Sequence, residues 1–340
     1  MRQWTVQREE KDQRFNKYLQ RRLPGAPSSF IYKMLRKKNI TLNGKKASGS
    51  ELLLEGDLVT LFLSDDTIAG FGGDTKRAEE DSGEEESLQE YKKAYRLLRG
   101  RIERDAILYE NDDILAVSKP VGVLSQKAAK SDLSVNEWLI GYLLEKNEVD
   151  ASSLKRFRPS VCNRLDRNTG GILLCSKSLI GARALTKLLR ERSLHKYYQA
   201  AVLGTVKKSG VIEGYLKKDK VTNTVNFTKA VKQGGDWTKT TYRPLISGDH
   251  YSLLEMELIT GKTHQLRSHL AAMGNPILGD PKYGDSAVNE KIRDQFGLRG
   301  QMLWCCRVEF PLLEGELSDL SGRVITCDPP RIYREITAAG

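Results

Sequence analysis

The chain has 340 residues, long enough for two domains with a sizeable core. Its 55 Lys and Arg against 44 Asp and Glu leave a net charge of +11, which suits a polyanionic partner, most simply nucleic acid. No apolar run approaches about 18 residues and the first fifteen are too polar for a signal peptide, which argues against a membrane partner and for a cytoplasmic protein.

The charge is segregated. Phe15-Asn16-Lys17-Tyr18-Leu19 and Leu23 have helical spacing that Pro24-Gly25-Ala26-Pro27 breaks. Ser28 or Ser29 can cap a second helix with Ile31, Met34 and Leu35 on its apolar face and Lys33, Arg36, Lys37 and Lys38 mainly on the other. Residues 39–46 read as a strand and a hairpin with Asn43-Gly44 at its tip, and Gly56–Phe62 as a further strand. Residues 13–57 carry ten Lys or Arg against three acids. Residues 65–90 reverse this, with ten Asp or Glu against Lys76 and Arg77, so 64–92 reads as a flexible acidic linker.

Beyond Arg96-Leu97 two strands end at Lys119-Pro120, and Ser131–Glu148 has helical spacing. A helix with Leu179, Ala182, Leu185, Leu188 and Leu189 apolar follows the stretch around Asp166. Strand-like runs then dominate at 197–203, 222–228, 239–245, 251–259, 302–310 and 322–327, which argues an α+β fold on a largely antiparallel sheet. The cysteines (Cys162, Cys175, Cys305, Cys306 and Cys327) make no C-x-x-C and read as reduced thiols, four of them in apolar or strand-like surroundings. His264 and His269 lack Cys or acidic neighbours at ligand spacing, so no metal is expected.

The most informative stretch is Ser160–Leu174. Period-2 alternation puts Arg164 and Asp166 on one face of an extended segment, Thr169-Gly170-Gly171 can turn tightly, and Ile172–Cys175 reads as a buried strand. Asn163-Arg164-Leu165-Asp166-Arg167-Asn168-Thr169-Gly170-Gly171-Ile172-Leu173 resembles the aspartate motif of pseudouridine synthases of the RluA family, usually H-R-L-D-x-x-T-S-G-L-L. Asn163 stands for the usual His and Gly170 for the usual Ser. Three more blocks resemble the family in order: Ile107–Gly122, ending in K-P-x-G; Lys196–Gly204, with K-x-Y-x-A; and Thr260–Arg267 through Gly279–Gly284.

The resemblance implies the pseudouridine synthase fold, with a largely antiparallel mixed central sheet, over residues 93–340. Residues 1–63 resemble the small α/β S4-like RNA-binding domain that often precedes it. It also implies the reaction. The N1–C1′ bond of uridine breaks, the base turns, and it rejoins through C5, with no cofactor.

Such a reaction needs a carboxylate near C1′ and a pocket that keeps the freed base beside the sugar. Asp166 matches the family's nucleophile, Arg267 the cation that pairs with it, and Tyr198 the ring that stacks on the uracil. A stacked uridine must first be flipped out, at a cost of a few kcal/mol. Arg164 matches the residue that fills the vacated space or meets the phosphate. Asn163 is expected to contact RNA without carrying charge. Lys17, Lys33, Arg36, Lys37, Lys38, Asn43 and Lys45 are the expected RNA contacts of the N-terminal domain. The pairing with an S4-like domain implies a large-subunit ribosomal RNA substrate, 23S rRNA or its precursor particle; a monomer is expected. The alternatives are a transfer-RNA uridine modifier and a noncatalytic RNA-binding factor on the same fold.

Overall fold

Two helices and a short hairpin bury their apolar faces together to make the first compact unit. The computed structural model describes residues 1–72, 79–129, 131–219, 224–230, 235–298 and 300–339. They divide into Met1–Lys93 with Ile140–Arg158, and Ala94–Leu139 with Pro159–Gly340. In the first unit, helices Phe15–Arg22 and Ser28–Arg36 sit with a four-stranded antiparallel sheet. Its strands are β1 (Arg2–Thr5), β2 (Ile40–Leu42), β3 (Lys45–Lys46) and β4 (Leu58–Leu61), in the order β1-β4-β2-β3. Phe15, Leu19, Ile31, Leu35, Ile40 and Leu61 are buried in its core.

Asn43 and Gly44 have φ of 51° and 72°, the double left-handed step of a two-residue hairpin. The second helix is capped otherwise than the sequence suggests. Pro27 holds the cap position, with no side-chain cap bond, and Ser28 is the first helical residue.

The linker expectation needs a larger correction. Within 64–92 the chain forms a helix at Asp65–Gly70, capped by Ser64 through the Thr67 N–H, and another at Glu79–Leu98. Leu88, Tyr91, Ala94, Tyr95 and Leu98 recur at helical spacing, so the apolar stripe of its second half supports the acidic first half. Residues 73–78 lie outside those described.

The second unit is built on an eleven-stranded sheet. β5 (Ile107–Glu110) and β6 (Ile114–Lys119) form the entry hairpin, and β7 (Ser160–Val161) lies beside β8 (Gly170–Ser176). Then come β9 (His195–Leu203), β10 (Gly210–Asp219), β11 (Thr224–Thr228), β12 (Asp236–Ser247) and β13 (Tyr251–Leu258). β14 (Leu303–Glu309) and β15 (Val324–Thr326) complete it. The path runs β11-β10-β12-β13-β9-β14-β8-β6-β5, with β15 on β14 and β7 on β8. Only β8 and β14 pair in parallel among the described strands; the other pairs are antiparallel. This is the α+β arrangement the strand-rich pattern predicts.

β10 is absent from the sequence reading, because Gly210 and Gly214 interrupt its alternation. The helix at Ser131–Glu148 is shorter than expected, Val135–Glu145, and residues 222 and 223 of the expected strand lie outside those described.

The parallel pair explains Gly170-Gly171. A Cβ on Gly170 would lie 2.1 Å from the Trp304 ring, and one on Gly171, whose φ is +100°, 2.1 Å from the Cys305 carbonyl oxygen. Side chains are excluded at both positions, so β8 can start against β14 and fix where the preceding loop leaves the sheet.

Candidate active site

Leu165–Thr169 is a loop outside the sheet that turns at Arg167-Asn168, and it is fastened from both sides. Ser125 Oγ donates to the Leu165 carbonyl at 2.9 Å and accepts from the Leu165 N–H at 3.0 Å. The Gly122 N–H donates to the Arg167 carbonyl at 2.8 Å, and Gln301 Nε2 to Thr169 Oγ1 at 2.7 Å. Lys119, fully buried, donates its ammonium to the carbonyls of Val123 (2.8 Å), Pro120 (3.0 Å) and Arg167 (3.2 Å). Burial pushes that amine down to about 7, against the pull of the Asp166 charge.

Asp166 projects from this loop into a cleft of about 1210 Å³ that Tyr198, His264 and Arg267 also line. Arg267 Nη1 donates to Asp166 Oδ2 at 2.8 Å. Its Nε and Nη2 donate to Asp280 Oδ2 and Oδ1 at 2.7 and 2.8 Å, a bidentate fork. Asp280, 1 % exposed, also accepts from the N–H groups of Lys282 and Tyr283. Burial would raise its carboxyl, but the Arg267 hydrogen bonds and charge, with those N–H groups, hold it below the usual carboxylate range. The cation that holds Asp166 is thus itself held by a second, hidden carboxylate. Sequence reasoning missed Asp280, although it sits in the Gly279–Gly284 block.

Arg267 lies on the helix Gln265–Ala272, whose first six residues are all buried. The helix tolerates its polar side chains because they are paired. Gln265, for example, bonds Thr260 Oγ1, the Lys239 carbonyl and Thr240 Oγ1. His264 precedes it in the left-handed region, φ 54°, with Nε2 3.7 Å from Asp166 Oδ2 and Nδ1 3.0 Å from the Tyr283 hydroxyl. Burial lowers its basicity, helped by Arg267 and Lys282 and opposed by Asp166, which favours a neutral ring. His269 is separate: fully buried and bonded to Thr238 Oγ1, with its basicity pushed down to about 4 by burial. Among the described residues no group of three His, Cys, Asp or Glu could hold a metal ion.

Tyr198 is 5 % exposed. Burial and the neighbouring Cys305 thiol push its phenol well above the ordinary value, so it offers a neutral ring, not a resident base. Tyr197, on the other face of β9, lies 3.9 Å beneath the Arg307 guanidinium. Arg164 stands exposed at the cleft. Asn163 is held mainly by the protein. It lines the cleft but is 9 % exposed, its Oδ1 accepts from the Leu174 N–H at 2.7 Å, and its Nδ2 is buried with no partner.

In the first unit Lys17, Lys33, Arg36, Lys37, Lys38 and Lys45 are exposed. Asn43, also exposed, is spent inside the unit: Nδ2 donates to Asp57 Oδ1 and Oδ1 accepts from the Leu58 N–H. Those two bonds brace the hairpin against the turn before β4.

Because Ser125 alone makes both bonds to Leu165, Ser125→Ala should cost about 1–3 kcal/mol, since both buried backbone groups lose a partner. It should also lower kcat about tenfold by loosening the Asp166 loop. Steady-state kinetics and thermal melts check this; an unchanged kcat would refute the positioning.

A loop carboxylate, its guanidinium partner on a helix and a buried tyrosine on the sheet, meeting in a cation-lined cleft, are the apparatus of an RNA-base isomerase. Residues 113–272 match the family described as RNA pseudouridylate synthase. Ribosomal large subunit pseudouridine synthase C of Rickettsia felis is 31% identical over 277 residues, 81% of this chain and 83% of that protein. The same-named protein of Vibrio vulnificus is 29% identical over 309 residues, 88% of this chain and 84% of its own. The solved structure of human RNA Pseudouridylate Synthase Domain Containing 4 shares the fold, with TM-score 0.55 at 21% identity over 72% of this chain and 95% of that one. The chain belongs to the RNA pseudouridylate synthase family, and it is a pseudouridine synthase.

Proposed function

We propose that this enzyme converts uridine to pseudouridine in large-subunit ribosomal RNA, acting in the cytoplasm. The observation that carries the chemistry is the Asp280–Arg267–Asp166 chain at the cleft. It presents one carboxylate to the substrate, held in place by a guanidinium that is itself anchored on a second, buried carboxylate.

The flipped uridine lies against the Tyr198 ring, with Arg164 at the space it left. Asp166 attacks C1′ as the N1–C1′ bond breaks and its electron pair goes to N1. The uracil turns in the cleft, C5 bonds to C1′ as the carboxylate leaves, and the C5 proton passes to water while N1 takes one up. Atoms and charge balance with no co-reactant. Among the described residues no helix is long and apolar enough to cross a membrane.

The ribosomal target rests on the relatives' names and on the basic N-terminal unit. Its helix pair and hairpin fit an S4-like RNA-binding domain, with Lys33, Arg36, Lys37 and Lys38 exposed at the end of the second helix. Mapping pseudouridine across all cellular RNA, with and without the gene, tests the target. The expected result is loss of sites in large-subunit RNA; losses confined to transfer RNA would overturn it.

A second prediction isolates the N-terminal unit. Changing Lys33, Arg36, Lys37 and Lys38 together to Gln should weaken binding to large-subunit RNA. It should flatten the slope of log K against log salt by about 0.7 for each lost single-strand phosphate contact. Turnover at saturating RNA should stay within about twofold, because none of the four lies in the catalytic unit. An unchanged salt slope would exclude this patch as an RNA contact.

A further inference from the structure

Lys196 and Tyr198 are two apart on β9, so their side chains project from the same face of the sheet, and both line the Asp166 cleft. The lysine reaches across: a Cβ on Gly261, in the loop leading to His264, would lie 3.9 Å from Lys196 Nζ. Three other cations of the cleft have protein partners, and Arg164, Arg192 and Lys218 stand exposed to solvent, whereas Lys196 is half-buried. Lys262 pairs with Asp236 at 2.8 Å, Arg267 with two aspartates, and Arg167 with Asp132 at 3.5 Å. Lys196 has no carboxylate within 4 Å and no hydrogen-bond acceptor for its amine among the described residues. The nearest titratable influence on it is the Cys305 thiol, which burial pushes up to about 12 and keeps neutral.

A half-buried ammonium with no counter-charge is costly in the free protein, and here burial already lowers its basicity. The missing anion must come with the ligand. We infer that Lys196 is the seat for an RNA phosphodiester, the one flanking the flipped uridine, held beside the base that rests on Tyr198. A neutral uracil carbonyl could accept a hydrogen bond from it but could not neutralise it. A phosphate does both, and two residues along a strand is close to the span from a pyrimidine ring to its own phosphate. Tyr198 and Lys196 then divide the nucleotide, ring to one and anion to the other, while Asp166 faces the sugar between them. This rests on the proposed chemistry of the same cleft and adds to it a binding residue that distinguishes a nucleotide in a chain from a bare nucleoside.

The test uses RNA labelled with tritium at uridine C5, from cells lacking the gene, so that each turnover releases one label. Parent enzyme on separated ribosomal and transfer RNA first shows which fraction is the substrate. That settles the target reading by itself, and the productive fraction then serves for Lys196. Lys196→Gln should raise KM by about tenfold or more, the worth of one charge-assisted bond, with kcat within about twofold. Its salt slope should be shallower by about 0.7. Lys196→Arg should restore most of the affinity and the slope. Lys196→Met, of similar length and without the buried charge, should melt no lower than the parent.

Three results would overturn the inference. One is a lower kcat with KM and salt slope unchanged, which would put the amine on the base. Another is parental kinetics in Lys196→Gln. The third is a Lys196→Met protein that melts well below the parent, which would give the amine a structural partner.

Discussion

Asp166→Asn should lose at least about a thousandfold in turnover while folding and binding RNA normally. The substitution keeps the shape and an oxygen for Arg267 Nη1, and removes only the charge and nucleophilicity the reaction uses. Its structural cost is small. The Asp166 side chain is 31% exposed, and exposed or half-exposed pairs contribute about 0–1 kcal/mol. Arg267 keeps its bidentate partner Asp280, so no charge is stranded. Tritium release from C5-labelled RNA and a melting curve measure both sides. Appreciable release by the folded variant would remove Asp166 from the mechanism.

Arg267→Met should be damaging in a different way, because it strands Asp280 at 1 % exposure. Removing one partner of a buried pair costs about 3–5 kcal/mol, or roughly 10 °C in Tm for a domain of this size. Activity should also fall about 10²–10³-fold as Asp166 loses its electrostatic partner.

The pH dependence should change sign. In the parent, Asp280 is held below its unfolded value, so its contribution is present above about pH 4 and is lost as pH falls through the lower folded value. In the variant burial is opposed only by the Lys282 and Tyr283 N–H groups, and the folded carboxyl lies above the unfolded one. The variant should therefore gain stability as the medium is acidified from neutral toward pH 5, where the parent does not. Melts at pH 5 and pH 7.5 decide it. Parallel curves for the two proteins would mean that Arg267 does not hold Asp280 ionised.

These two residues differ in how legible they were. The Asp166–Arg267 pairing followed from motif order, because a carboxylate and an arginine in ordered blocks are a recognisable chemical statement. Asp280 stood in plain view in one of those blocks, but a G-D-P step also reads as a turn. Only the fold turns that carboxylate inward onto Arg267. Ser125 carried no signal, since a serine after Val121-Gly122-Val123-Leu124 looks like any loop hydroxyl until Leu165 is seen against it. The structural bond of Asn163 was not legible, because only the fold brings its amide oxygen to the Leu174 N–H. The acidic stretch misled because charge density hid the helical spacing of Leu88, Tyr91, Tyr95 and Leu98.

The order of the sheet also dictates when the enzyme can first work. β14 lies between β9, which carries Tyr198, and β8, which follows the Asp166 loop, although it comes about a hundred residues after the first and further still after the second. Until residues 303–309 are available, the two halves of the site have unpaired edges facing each other and nothing to set their spacing. During synthesis the aspartate, the tyrosine and the arginine therefore all leave the ribosome before any of them can act together. A nascent chain stopped short of residue 300 would hold every reacting group and no active site. Its two open edges would also invite pairing with other chains, so this late insertion is where misassembly in the cell would begin.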